Sequence, residues 1–90
     1  MYEIKLTDSY KKRALKFLKK HLNLKEKYIK TLTILENNPF HLSLRLHKSK
    51  GNLKDYHSVS IDMSHRITID FIIEDEVIIP INIGTHDDVY

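Results

Sequence analysis

The hydrophobic period of this 90-residue chain changes once, and that change limits the folds open to it. Between Tyr10 and Leu35 the apolar residues recur three and four apart: Tyr10, Ala14, Phe17, Leu18 and Leu22, then Tyr28, Ile29, Leu32 and Leu35. This spacing predicts two helices, each burying one side. Asn37-Asn38-Pro39 stops the second, and beyond it the spacing is two. Leu42, Leu44 and Leu46 alternate with Ser43, Arg45 and His47; Val59, Ile61 and Met63 alternate with Tyr56, Ser58 and Ser60. A third run sets Ile67, Ile69, Phe71 and Ile73 against Arg66, Thr68 and Asp70, and a last one carries Val77, Ile79, Ile81 and Ile83. Each reads as a strand with one covered side. A short alternating stretch, Tyr2 to Leu6, precedes the helices. Strand, helix, helix and four strands predict an α+β fold, with two N-terminal helices packed on one face of a mainly antiparallel four- to five-stranded sheet.

Local signals mark the joints. Thr7, Asp8 and Ser9 are suited to cap the first helix, and Asn23 with Glu26 has the spacing of a capping box for the second. Lys48-Ser49-Lys50-Gly51-Asn52 reads as a basic turn, and Glu74-Asp75-Glu76 as an acidic hairpin. Pro80 has no amide hydrogen for a ladder, so the last strand needs a bulge or an unpaired flank there. Gly84 permits a sharp exit from that strand, which would deliver His86 and Tyr90 to its end.

The chain reads as a single domain over residues 1–90, and it holds no cysteine to form a disulfide. With 41% hydrophobic and 30% charged residues it has the composition of a folded domain, not of a disordered chain. Its apolar runs are far short of a membrane span, and Met1 to Leu6 lacks the basic-then-apolar layout of a secretion signal. A cytoplasmic protein that does not enter a membrane is the expectation. The net charge of +3 hides an asymmetry: residues 1–54 hold 14 of the 15 Lys/Arg and 4 of the 12 Asp/Glu, a balance of +10, leaving −7 for the remainder. Such polarity suits a polyanion on one surface.

Sorting by face gathers Ser43, Arg45, His47, Lys54, Tyr56, Ser58, Ser60, Arg66 and Thr68 on the polar side, with His86 and Tyr90 at a strand end. Cations, imidazoles, hydroxyls and aromatic rings with few carboxylates suit a phosphodiester backbone with bases to stack. Arg66 reads either as a phosphate ligand or as a surface partner of Asp62 or Asp70. His21, His41, His57 and His65 have no metal-site spacing and read as surface or packing residues; Tyr10, Phe17, Tyr28, Phe40 and Phe71 read as core.

Leu46-His47-Lys48-Ser49-Lys50-Gly51, then Lys54 and Tyr56, then Ser64-His65-Arg66 opening a strand, and finally Ile83-Gly84-Thr85-His86-Asp87-Asp88-Val89-Tyr90 form an ordered pattern across the chain. The pattern resembles the RelE/ParE toxin superfamily of bacterial toxin–antitoxin systems, nearest to its YafQ and YoeB branches. That resemblance implies a ribosome-dependent endoribonuclease that cuts mRNA in the A site by 2′-OH attack, without metal or cofactor, and is silenced by a cognate antitoxin. By position it makes His47, Arg66, His86 and Tyr90 the catalytic set. His47 and His86 would share the base and acid duties, Arg66 would hold the phosphate, and Tyr90 would stack on a base or donate a proton. Arg45, Lys48, Lys50, Lys54, Tyr56 and Ser60 would line the RNA. The sequence departs from the pattern at Ser60, where YafQ-type toxins have His, and at Ser64, where they have Asp. Two other members of the same class remain open: a ParE-like toxin that acts on DNA gyrase without cutting RNA, and a degenerate toxin that keeps only antitoxin binding.

Overall fold

A computed structural model of the chain describes residues 1–49, 56–72 and 75–85. In order, the elements are β1 (Glu3–Ile4), α1 (Asp8–Lys20), α2 (Lys25–Asn37), β2 (His47–Lys48), β3 (His57–Ser60), β4 (His65–Ile72) and β5 (Val77–Thr85). Short 3-10 turns occupy Leu22–Leu24 and Leu42–Leu44. The strands form one sheet in the order β1-β5-β4-β3-β2, antiparallel except where β1 runs parallel to β5. This is the expected α+β architecture. Among the described residues, no helix is long and apolar enough to cross a membrane.

Helix α1 starts where Thr7 Oγ1 accepts the Tyr10 amide hydrogen at 3.2 Å, with Asp8 in the first turn and Lys19 and Lys20 in the last. Both ends thus carry charges that oppose the helix dipole. Tyr10, Ala14 and Phe17 are buried, but Leu22 falls beyond the helix in the 3-10 turn and is 76% exposed, so the expected stripe is shorter. Asn23 does not cap α2; the position before that helix belongs to Leu24, which makes no side-chain cap. The preceding turn organises the helix start instead, since Leu24 N–H donates to His21 O at 2.9 Å and Lys25 N–H to Leu22 O. Tyr28, Thr31 and Leu35 form the buried side of α2, whereas Ile29 faces solvent. Thr31 tolerates burial because its hydroxyl donates to Lys27 O at 2.7 Å. Asn38 and Pro39 end the helix as expected.

The leucines after α2 do not form a strand. Leu42–Leu44 coil into a 3-10 turn, held by Leu44 N–H donating to His41 O at 3.0 Å and Ser43 N–H donating to His41 Nδ1 at 3.1 Å. Only Leu44 is buried there, while Leu42 is 91% exposed. Phe40 is exposed as well, its ring 5.6 Å from that of Phe71. Strand β3 stops at Ser60, and Met63, expected inside, lies exposed in the bend that follows.

Strands β4 and β5 pair Ile69 with Pro80 but Thr68 with Asn82, which leaves Ile81 as the extra residue of a bulge beside the proline. The missing proline N–H predicted that defect. Its consequence is larger than the sequence suggested, because one extra residue transfers every later side chain to the other face. Ile78, Pro80 and Ile83 are therefore buried, while Val77, Ile79 and Ile81 are only half-buried. Gly84 does not end the strand; it pairs with Arg66 inside β5, and β5 continues to Thr85. Against the helices, Val59, Ile67, Ile69 and Ile78 are fully buried with Leu35 and Leu44. Each such aliphatic side chain contributes about 1.5–3 kcal/mol of transfer free energy.

Candidate nucleic-acid interface

Because Val59, Ile67 and Ile69 enter the core, the alternating residues Ser58, Ser60, Arg66 and Thr68 belong to the opposite face of the sheet. Register aligns them in two rows, His47, Ser58, Thr68 and Asn82 in one and Ser60, Arg66 and Gly84 in the other. Arg66 on β4 reaches across β3, and its Nη1 comes to 3.4 Å from Nε2 of His47 on β2. Those two strands are two spacings apart, about 9.5 Å, which a long guanidinium stem and an imidazole span from opposite sides. Serine at positions 58 and 60 of the intervening strand adds little bulk along the way.

The partners fix the tautomer of His47. Its Nδ1 lies 2.8 Å from Arg45 O, a group that only accepts, so Nδ1 carries the hydrogen. Nε2 therefore holds a lone pair, and that lone pair faces a guanidinium that only donates. Arg45 supplies its carbonyl from a left-handed conformation, φ 50°, uncommon outside glycine. Strain of that kind, where a turn aims a group at a site, is a recurring property of functional positions.

The face is less open than its composition implies. Ser58 and Thr68 are fully buried, and Ser58 Oγ lies 2.8 Å from Ser49 Oγ in a hydroxyl pair that alternation alone did not reveal. They form the floor and are not exposed binding groups. Ser43 sits in the 3-10 turn, off the sheet, with its hydroxyl 2.8 Å from His41 Nδ1. Of the other expected RNA-lining residues, Lys48 is exposed on β2, Tyr56 is half-buried and accepts the Ser49 amide hydrogen through its carbonyl, and Ser60 is half-buried opposite Arg66. Lys50, Lys54, His86 and Tyr90 lie outside the described residues.

Asp62, a proposed alternative partner of Arg66, is turned to its own loop. Its Oδ1 accepts from the amides of Ser64 and His65 and lies 2.9 Å from His65 Nδ1. Burial opposes ionisation of Asp62, yet the Ser64 amide and the two His65 bonds outweigh it and hold the carboxyl below its usual range. The His65 ring packs edge-on against Phe17 and His21, at 5.4 and 4.8 Å between centroids, as a packing histidine should. An Asp two residues before a Ser-His pair that opens a strand is an Asx-turn signal that would have located this pair. His57 packs near Phe71, and burial depresses its basicity, with the charges of Lys48 and His47 adding to the effect.

The arrangement offers a fixed cation and a ring nitrogen bearing a lone pair, side by side on one face of a sheet. Such a pair suits binding of a phosphodiester oxygen and removal of a nearby hydroxyl proton.

No protein-family model matches the chain, and no curated protein sequence does either. Solved structures do match over nearly their whole length. YafQ from E. coli superposes with a TM-score of 0.78 at 17% identity, covering 100% of this chain and 99% of that one. The toxin of the E. coli DinJ–YafQ toxin–antitoxin complex gives 0.69 at 22%, covering 99% and 97%. The YoeB–YefM complex from Staphylococcus aureus gives 0.70 at 20%, covering 96% and 98%. The likeness to RelE/ParE toxins that the sequence suggested is thus present in the fold, with YafQ- and YoeB-type toxins among the matching structures.

Proposed function

We propose that the chain is the toxin of a toxin–antitoxin pair and an endoribonuclease that cuts mRNA on the ribosome without metal. The observation that carries this reading is the 3.4 Å approach of Arg66 Nη1 to His47 Nε2 on a sheet face turned away from the helices. Metal-free cleavage of RNA requires a base for the ribose 2′-OH, a cation for the charge that builds on the phosphorus oxygens, and an acid for the departing 5′-oxygen. In the proposed mechanism the His47 Nε2 lone pair takes the hydroxyl proton. The Arg66 guanidinium leaves its bond to Nε2 for the phosphate oxygens and stabilises the pentacoordinate state. His86 protonates the leaving oxygen, and Tyr90 holds an adjacent base. Arg45, Lys48, Lys50, Lys54, Tyr56 and Ser60 line the path of the strand. Similarity to a toxin from a toxin–antitoxin complex supports a cognate antitoxin as the protein partner.

The test is expression in a translating extract with mapping of mRNA 5′ ends. Codon-phased cuts that vanish in Arg66→Ala and His47→Ala are the expected result. Translation that stays intact while gyrase supercoiling is blocked would replace this reading with the gyrase-directed one.

A further inference from the structure

At the end of β3 a concavity of about 200 Å³ is lined by Lys27, Lys30, Thr31 and Ile34 of α2, Ser43 and Leu44 of the 3-10 turn, and Ser60 and Ile61. Pockets that enclose a whole small molecule measure roughly 300–1,000 Å³, so this one suits part of a longer ligand. Its chemistry is divided. Lys27 and Lys30 are exposed and lie three apart on one helix, which places two ammonium groups on the same rim. Ser43 and Ser60 contribute hydroxyls, and the described lining includes no carboxylate. Ile34, Leu44 and Ile61 supply an apolar floor, with Leu44 and Ile61 buried. Two cations above an apolar floor fit one nucleotide unit, with its phosphate on the lysines and the flat of its sugar or base below.

Register ties this cleft to the His47 and Arg66 pair. Ser60, one wall of the cleft, is the cross-strand partner of Arg66. Paired residues in an antiparallel ladder stand about 4.5–5.5 Å apart at Cα, so a chain held by Arg66 has only to pass Ser60 to reach the cleft. We infer that the Lys27, Lys30, Ser43 and Ser60 cleft is a nucleotide subsite that holds RNA beside the bond to be cut. The inference rests on the RNA-cutting reading and adds a binding element on α2, which the residue pattern of the sheet does not contain. Lys27 and Lys30 bind and position; they take no part in the chemical step.

The test measures binding of a short fluorescent 2′-O-methyl RNA, which lacks the attacking hydroxyl and so separates binding from cleavage. The Lys27→Gln/Lys30→Gln double variant is expected to bind about tenfold more weakly. Its plot of log affinity against log salt should be shallower by about 0.7, the value for the one single-strand phosphate that the variant no longer neutralises. Lys5→Gln/Lys11→Gln removes the same charge elsewhere and should leave the slope unchanged. Equal slopes for wild type and the α2 variant, or an equal fall in the control, would overturn the subsite and leave the catalytic reading standing. Displacement of the RNA by poly-glutamate as effective as by unlabelled RNA would also overturn it, since an apolar floor should favour nucleotides. A wild-type protein that binds none of this RNA would overturn the subsite as well, whereas the catalytic reading falls only if the codon-phased cuts in the translating extract are absent.

Discussion

Arg66 donates across a whole strand to His47, and the two side chains hold each other in place. Each is therefore expected to depend on the other in catalysis. With the general base removed, His47→Ala should lower cleavage by roughly 10²–10⁴-fold. Arg66→Ala, which removes the charge at the phosphate, should lower it by about 10²–10³-fold. Groups in direct contact do not act additively. The double variant should consequently fall well short of the product of the single losses. Single-turnover cleavage in the translating extract measures all three, and a strictly multiplicative double loss would show that the two groups work independently.

A second prediction concerns the core. Tyr10 and Tyr28 share a hydroxyl–hydroxyl bond of 2.9 Å beneath α1 and α2. Burial raises the Tyr10 phenol far above its ordinary range, with Tyr28 adding to the effect, and burial raises that of Tyr28 too. Tyr28→Phe leaves a buried hydroxyl without its partner, at a cost of about 1–3 kcal/mol, whereas replacing both tyrosines with Phe removes both polar groups together. The double variant is expected to be more stable than Tyr28→Phe in urea unfolding. In a spectroscopic titration, two of the five tyrosines should stay protonated through the range near pH 10 until the protein unfolds.

Much of this was legible in the sequence because burial and periodicity are local to a strand or helix. The change of period announced the α+β order, and Pro80 announced the bulge. Three failures share one cause, hydrogen bonding that the periodic pattern cannot show. His41 accepting from Ser43 bends an alternating leucine run into a 3-10 turn. The turn before α2 pairs its own amides and leaves Asn23 with no capping role. The bulge at Ile81 reverses which residues of β5 are buried. Residue type and order single out His47 and Arg66 as candidates, but their meeting across β3 depends on register. The α2 cleft joins side chains of a helix, a 3-10 turn and a strand end that lie far apart in the chain, so no periodic pattern marks it.

Acid sensitivity should come in two steps, the first from His57. Its folded basicity lies below the ordinary value, so as pH falls the unfolded chain takes up this proton first, near pH 6.5. Stability is therefore expected to decline as pH falls through that value, until the folded form is protonated as well. Thermal unfolding between pH 7.5 and 5.5 checks it. His57→Gln should flatten the profile in this window, and an unchanged slope would assign the loss to another group.

The second step belongs to Asp62, whose folded pKa is also depressed, here by hydrogen bonds that favour the carboxylate. The sign follows from the direction of that shift. Its stabilisation is complete above the unfolded value of about 3.9 and is lost as pH falls through the lower folded value. Asp62→Asn keeps an acceptor for the loop amides but removes the charge facing His65. The variant should unfold a few degrees below wild type at neutral pH, because a loss of about 1 kcal/mol shifts the midpoint of a domain this size by roughly 4–8 °C. The gap should narrow below about pH 4 as the wild-type carboxylate is itself protonated. A gap that stays constant down to acid pH would mean that the amide geometry of the turn stabilises the protein, and that the charge of Asp62 does not.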